Sequence, residues 1–427
     1  MTAVRRLELD DVAGIPDLLT AVRAATSPQD LAPAVAETIA RVRADGDAAL
    51  VEDARRFGAP GFTLRQVVVT EADCAAAAQA MRPELRDAIL AAAEQIRALA
   101  DATLPTDRRV VLPAGQVVTV RSVPVGAAGC YVPGGRAAYP SSLLMSVIPA
   151  QVAGVGRVAV VSPPGADGGP HPVIMATASL LGVHEVYAAG GAAAIAALAV
   201  GTPSVAPVNV ITGPGNSWVQ EAKRQVTGLV GIDGFAGPSE VLVIADNTAD
   251  ARSVALDLLA QAEHGEDSCA VCVAVDAEVL DTVAEAIAAE GDPVGRVTLV
   301  RVGSIEVAVA FAEAMAAEHL EVITADAGEI ASRITRSGAV FVGRHGATAF
   351  GDYVAGSNHV LPTGGAATFA SALGTSTYLR RMSVVEMTDQ AVQTLTGHLA
   401  TIAAAEGFEM HARSALARLE TIEDADG

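Results

Sequence analysis

The sequence predicts an α/β protein made of two Rossmann-like parallel-sheet modules, with an N-terminal helical region and a C-terminal helical dimerisation arm. Three observations predict it. Between about residues 125 and 375, short apolar runs alternate with amphipathic or Ala-rich segments, which is the rhythm of βαβ units and a parallel sheet. The first hundred residues instead carry apolar side chains at helical spacing. Beyond about residue 385 the pattern is helical to the end, an arm better suited to gripping a partner subunit than to enclosing a core of its own.

In chain order, Ser27-Pro28 opens a helix whose Val35, Ile39 and Val42 share one face, and Gly46 stops it. Asp47 is expected to cap a second helix reaching about Phe57-Gly58. Thr70-Glu-Ala-Asp73 has the form of a capping box and begins a third helical region through Leu85, Ile89, Ile96 and Leu99, with Pro83 as its break point. Residues 109–112, a Pro-Ala-Gly turn and residues 116–120 form a hairpin. Strands follow at 157–161, 185–188, 208–211, 241–245, 269–275, 297–302, 321–324 and 340–342, with helices such as 249–264 and 277–289 between them. The corresponding division is a helical region with the hairpin start (1–110), a first α/β module (111–235), a second module with a metal site (236–375) and the arm (376–427).

The formal net charge of −21 excludes a nucleic-acid backbone or an anionic membrane surface as partner and favours a small, even cationic, ligand. Hydrophobic residues reach 51%, yet glycines and charges interrupt every run before it attains the roughly 18 apolar residues of a membrane span. The opening residues carry Arg5 and Arg6 with no apolar segment of an export signal behind them, so a cytoplasmic protein is expected. Four cysteines in 427 residues are no disulfide framework and agree with a reducing compartment. Cys269 and Cys272 have C-x-x-C spacing, but they lie in an apolar strand, where positions three apart face opposite ways and can neither pair nor chelate.

The densest polar cluster is Gln261-Ala-Glu-His264, near a helix end, where positions three apart project from one face. An amide oxygen and an imidazole so placed can ligate a metal, although His264 at the negative end of a helix dipole is also an ordinary solvated terminus. Gly351-Asp-Tyr-Val-Ala-Gly-Ser-Asn-His359 sets a carboxylate and an imidazole in a glycine-bearing segment, and His411 follows Glu406 by five residues. Together Gln261, His264, Asp352 and His411 compose the mixed nitrogen and oxygen shell that zinc accepts. Glu318-His319, at a helix–strand junction, is a candidate acid–base pair and equally an ordinary surface pair. The turns Tyr131-Val-Pro-Gly-Gly135 and Gly213-Pro-Gly-Asn216 are able to bring backbone amides to a phosphate, but neither is G-x-G-x-x-G. On these residues alone, a metal hydrolase on an α/β scaffold fits nearly as well as a nucleotide-dependent enzyme.

Ile232-Asp-Gly-Phe-Ala-Gly-Pro-Ser-Glu240 running on to Gln261-Ala-Glu-His264 resembles the signature of the histidinol dehydrogenase family. The resemblance extends in order through Tyr131-Val-Pro-Gly-Gly135, Gly213-Pro-Gly-Asn216, Glu221-Ala-Lys-Arg-Gln-Val226, Glu318-His-Leu320 and Gly351 to His359, over nearly the whole chain. It implies oxidation of L-histidinol through L-histidinal to L-histidine with two NAD per turnover, the last step of histidine biosynthesis. It further implies one Zn2+ per subunit on Gln261, His264, Asp352 and His411, with His411 supplied by the other subunit of a homodimer that shares its active sites. Glu318 and His319 become the proton-transfer pair. Ser239, His359 and Glu406 contact substrate beside Gln261, His264, His319, Asp352 and His411, while Tyr131, residue 193 and Asn216 contact NAD. Three positions depart from or complicate the pattern. Ala193 replaces a glutamine whose amide would reach NAD, Ala317 stands where many relatives have proline, and Cys130 invites a thiohemiacetal route that its apolar neighbours argue against. The alternatives to weigh are a relative oxidising another small alcohol, a zinc hydrolase using Glu318 as base, and a non-catalytic binding protein.

Overall fold

A computed structural model describes residues 4–23, 30–134, 137–235 and 237–426. The helix start expected at Ser27-Pro28, and Gly135 and Ala236 of the glycine-rich motifs, lie outside the described residues. The chain divides into two compact units, residues 1–103 with 125–378 and residues 104–124 with 379–427.

The larger unit holds two six-stranded sheets. Across the first, the strands run Val68–Val69, Glu185–Ala188, Arg157–Ser162, Ala127–Tyr131, Val210–Thr212 and Gly231–Ile232, all parallel except the first pair. Across the second they run Val4–Leu9, Arg296–Val302, Cys269–Ala274, Glu240–Ala245, His319–Ile323 and Ala339–Val342, parallel throughout. Helices on both faces bury the central strands completely, which is why these strands read as continuous apolar runs and not as alternations. Cys269 belongs to the core on one face of the second sheet and Cys272 to the core on the other, as positions three apart on a strand require. All four cysteines are free and buried.

Several local expectations hold. Thr70 and Asp73 close a capping box, and the chain breaks at Met81 so that Pro83 begins the next helix, Pro83–Ala102. Val35, Ile39 and Val42 are buried on the helix Ala32–Asp45, and Gly46 ends it at φ +58°. Asp47 does not cap the helix it begins. Its carboxylate accepts from the Ser204 N–H at 3.2 Å and the Ser204 hydroxyl at 2.7 Å, tying that helix to a distant loop. Five strands are additions to the expected set, Val4–Leu9, Val68–Val69, Ala127–Tyr131, Gly231–Ile232 and Leu379–Glu386. Val4–Leu9 joins the edge of the second sheet beside Arg296–Val302, and Ala127–Tyr131 lies in the middle of the first.

In the smaller unit, the expected hairpin forms from Arg108–Val111 and Val117–Pro124, and Leu379–Glu386 adds a third antiparallel strand. The helices Asp389–Ala405 and Glu409–Asp426 then pack on one another. Among the described residues, no helix is long and apolar enough to cross a membrane.

Candidate active site

A helix that follows a strand in a βαβ unit runs back antiparallel to it, so its C-terminus returns to the edge where the strands begin. Gln261 lies in the last turn of the helix Ala251–Ala262, and His264 lies in the turn just past its end. They arrive at the edge of the second sheet where Glu240–Ala245 and His319–Ile323 start as neighbouring strands, Val241 opposite His319.

Glu318 and His319 are delivered there by a sharp turn. The helix Ile305–Met315 stops at Ala316, whose φ of +44° makes it the one non-glycine with positive φ among the described residues. A left-handed alanine costs on the order of 1 kcal/mol, which the surrounding packing must impose. Glu318 and His319 are 7% and 4% exposed, so neither is a surface pair. Glu318 Oε2 accepts from the Ser239 hydroxyl at 2.5 Å and from the Glu240 N–H at 2.9 Å. Burial pushes the Glu318 carboxyl up from its ordinary value, against the opposing pull of His319, Ser239 and the Glu240 amide.

His319 Nδ1 lies 3.1 Å from the Glu240 carbonyl oxygen. A carbonyl only accepts, so Nδ1 carries the hydrogen and the neutral ring keeps a bare Nε2. That Nε2 is buried without a hydrogen-bond partner and lies 3.6 Å from Asp352 Oδ1. Burial disfavours charge on this ring, but Asp352 and Glu318 outweigh it and the net shift is upward. Asp352 responds in the opposite sense. Burial would raise it, yet His319, His359 and His264 together hold the carboxylate below its ordinary value.

His359 is committed at both nitrogens. Nδ1 donates to the backbone oxygen of Asp352 at 2.9 Å, and Nε2 lies 3.1 Å from the Ser142 hydroxyl, which therefore donates to it. Burial lowers its pKa. Whatever His359 does toward a ligand, it also joins the helix Pro140–Val152 to the backbone of Asp352.

Gln261, His264 and Asp352 suit a metal. Gln261 is 3% exposed with its amide nitrogen unpartnered, and its carbonyl oxygen is the atom a cation would take. His264 Nδ1 bonds the Ala260 carbonyl at 3.1 Å, the outer-shell bond that leaves Nε2 for a ligand. Among the described residues, no group of three or more His, Cys, Asp or Glu side chains is gathered to hold an ion. Of the expected ligands, the larger unit carries His264 and Asp352, with Gln261 as the third donor. Glu406 and His411 belong to the smaller unit, where both are exposed.

The residues expected at a nucleotide gather at the opposite kind of edge, where the strands of the first sheet end. Tyr131 closes Ala127–Tyr131, Asn216 caps the helix Ser217–Val226, and Ala193 is buried in the first turn of Gly191–Val200. The connections leaving Ala127–Tyr131 and Val210–Thr212 diverge here, the switch point at which open parallel sheets take ligands. Gly213 has φ +110°, and a Cβ on it would lie 2.0 Å from the Tyr131 carbonyl oxygen, so only glycine permits the turn. The buried ion pair of Lys223 with Asp233, at 2.7 Å, grips both sides of that glycine, Lys223 bonding its carbonyl and Asp233 its N–H.

Sequence reasoning missed Arg23, Glu240, Ser142, Lys223 and Asp233. Glu240, Lys223 and Asp233 stand inside the motifs quoted above with no role read from them, whereas Arg23 and Ser142 gave no signal.

The family model for histidinol dehydrogenase matches residues 21–419. The chain is 44% identical over 410 residues to the histidinol dehydrogenase of Rhizobium meliloti, covering 93% of this chain and 94% of that protein. It is 40% identical over 429 residues to the one from Gluconobacter oxydans, covering 98% and 100%. The crystal structure of histidinol dehydrogenase from Elizabethkingia anophelis superposes with a TM-score of 0.94 at 29% identity over 99% of both chains.

Proposed function

The chain belongs to the histidinol dehydrogenase family, NAD-dependent oxidoreductases of the last step of histidine biosynthesis, and we propose that Glu318 and His319 move the protons of its two oxidations. The observation that carries this reading is the bare, buried Nε2 of His319 beside Asp352, next to a carboxyl raised by burial.

When bound, zinc on Gln261, His264, Asp352 and a second subunit's copy of His411 would hold the imidazole and amino nitrogens of L-histidinol, and NAD would accept the hydrides. Holding the substrate at two points turns a flexible alcohol into an oriented one. His319 Nε2 then takes the hydroxyl proton during the first oxidation, its ring held by the Nδ1–H bond to Glu240. In the second, Glu318 draws a proton from the water that hydrates L-histidinal. Its raised pKa keeps it a stronger base than an exposed carboxylate. Ser239, 2.5 Å from Glu318, steadies that carboxylate and faces the substrate. Tyr131 and Asn216 line the nucleotide crevice. Ala193 offers no side-chain donor there, so the NAD contact expected from a glutamine is lost.

The arm supports a shared homodimer. Its two helices enclose a groove of about 710 Å³ lined by Leu395, Leu399, Ile402 and Phe408, with Glu406 and His411 on the same lining. Ile402 and Phe408 are 60% and 54% exposed, an apolar face that a second subunit would cover. The free buried thiols agree with a cytoplasmic setting.

The decisive experiment separates the half-reactions. His319→Asn should slow oxidation of L-histidinol, whereas Glu318→Gln should act more strongly on supplied L-histidinal, each by about 10²–10⁴-fold in single turnover. Equal losses by both variants on both substrates would remove the division of roles. Absence of NADH formation from L-histidinol by the unmodified chain would remove the reading altogether.

A further inference from the structure

We propose that Arg23 and Glu240 are positioning residues that hold Glu318 and His319 in register with one another. The inference rests on the reading of those two as the proton-transfer pair.

The backbone of one residue touches both groups. The Glu240 N–H donates to Glu318 Oε2 at 2.9 Å, and the Glu240 carbonyl accepts from His319 Nδ1 at 3.1 Å. Any rotation of the backbone at residue 240 therefore displaces the carboxylate and the imidazole together, and it also decides which nitrogen of His319 stays bare. Pairing with Cys269 on the neighbouring strand restrains that backbone, and the Glu240 side chain fixes it further. It is buried, 5% exposed, and its carboxylate is held in a two-point bond by the Arg23 guanidinium, Nε to Oε1 at 2.9 Å and Nη2 to Oε2 at 3.1 Å. A planar fork on a carboxylate fixes direction as well as distance, which a lysine ammonium does not.

The same Nη2 also bonds the carbonyl oxygen of Met315. Met315 is the last residue of the helix Ile305–Met315, where carbonyls lack partners within the helix and the dipole is negative. One residue later the chain turns through Ala316 and enters Ala317-Glu318-His319. Arg23 thus links the start of one strand to the approach of its neighbour, bracing the catalytic pair from both sides. Arg23 itself closes the helix Ile15–Arg23, whose Val22 carbonyl accepts from the Cys269 thiol on the same sheet at 3.4 Å. An N-terminal helix with no residue in the expected site is in this way coupled to the chemistry.

The test uses the full-length, zinc-loaded enzyme. Arg23→Met should lower kcat for L-histidinol about tenfold, less than the ~10²-fold cost of displacing a reacting group by 1 Å. KM for L-histidinol and NAD, and bound zinc, should be unchanged within about twofold. Arg23→Lys, which keeps charge and one bond, should recover part of the loss. In a His319→Asn background, Arg23→Met should add little to kcat for L-histidinol, because the first oxidation, whose base is then missing, limits turnover and hides any effect through Glu318. The proposal is overturned if Arg23→Met retains full kcat, or if it costs the same factor with and without His319. If Arg23→Met does not fold, Glu240→Gln takes its place in the same cycle, since it keeps side-chain volume and one bond. Full activity of both His319→Asn and Glu318→Gln would strike the underlying reading of the pair, an outcome separate from failure of Arg23→Met alone.

Discussion

Cys130 is the residue through which a covalent route would pass, with a thiolate adding to L-histidinal and a thioester forming on loss of hydride. It lies on the central strand Ala127–Tyr131 of the first sheet, 0% exposed. Burial pushes its thiol up to about 12, and the Thr212 hydroxyl pointing at the sulfur from 3.8 Å only partly offsets this. The thiolate is the nucleophile, so at an assay pH near ~8 roughly one molecule in 10⁴ carries it, a handicap of about 5 kcal/mol before attack begins. Cys130→Ser should therefore keep kcat within about threefold for L-histidinol and for supplied L-histidinal. Stability should change by about 1 kcal/mol, because the new hydroxyl finds the Thr212 hydroxyl already beside it. The assay counts NADH per L-histidinol consumed, with urea unfolding alongside. The expected ratio is two. A ratio of one with aldehyde accumulating, in a variant that folds, would refute this reasoning and return the second oxidation to the thiol.

Three further outcomes follow from the geometry. His264→Asn should lower bound zinc and activity together by at least the ~10–100-fold typical of losing an outer-shell partner, checked by metal analysis of the purified variant; full activity without metal would refute the site. Gly213→Ala, which sets a Cβ 2.0 Å from the Tyr131 carbonyl at φ +110°, should raise KM for NAD well before KM for L-histidinol and cost about 1–3 kcal/mol in urea unfolding. Burial and the neighbouring Glu321 push the Asp257 carboxyl up to about 8, so the folded state holds a proton that the unfolded chain releases near its ordinary value. That contribution is complete below the unfolded pKa and is lost as pH rises through the folded one. Metal-free protein should therefore lose stability from pH ~4 to ~8, and Asp257→Asn, which keeps an amide donor to Glu321, should flatten that slope.

Much of the fold was legible because burial on both faces leaves a plain mark. Val-Leu-Val-Ile-Ala at 241–245 and Cys-Ala-Val-Cys-Val-Ala at 269–274 are apolar without interruption, and both are central strands. Two of the strands that escaped notice lack that mark for physical reasons. Val4–Leu9 is an edge strand, so its Arg5, Arg6 and Glu8 face solvent and break the run. Ala127–Tyr131 is central, but a Cβ at Gly129 would sit 2.9 Å from Leu198, so packing demands small residues there, and small residues resemble a turn.

The site divides along a similar line. Glu318-His319 and Gln261-Ala-Glu-His264 were visible because polar groups interrupt apolar elements within a few residues of each other. The relation of Arg23 to Glu240 spans 217 positions, and that of Ser142 to His359 spans 217 as well. Nothing local marks either pair, since an arginine ending an amphipathic helix and a serine beginning an apolar one are unremarkable in sequence. The groups that perform chemistry must meet a small substrate together, and here they occupy short polar segments. The groups that hold them in place need only reach them through the fold, so they are free to come from anywhere in the chain. A residue like Glu240, whose backbone orients the acid and the base while its side chain is turned away to Arg23, acts through hydrogen bonds that every amino acid possesses. Its identity matters only through the partner that fixes its side chain, and that partner becomes visible once the strands are laid side by side.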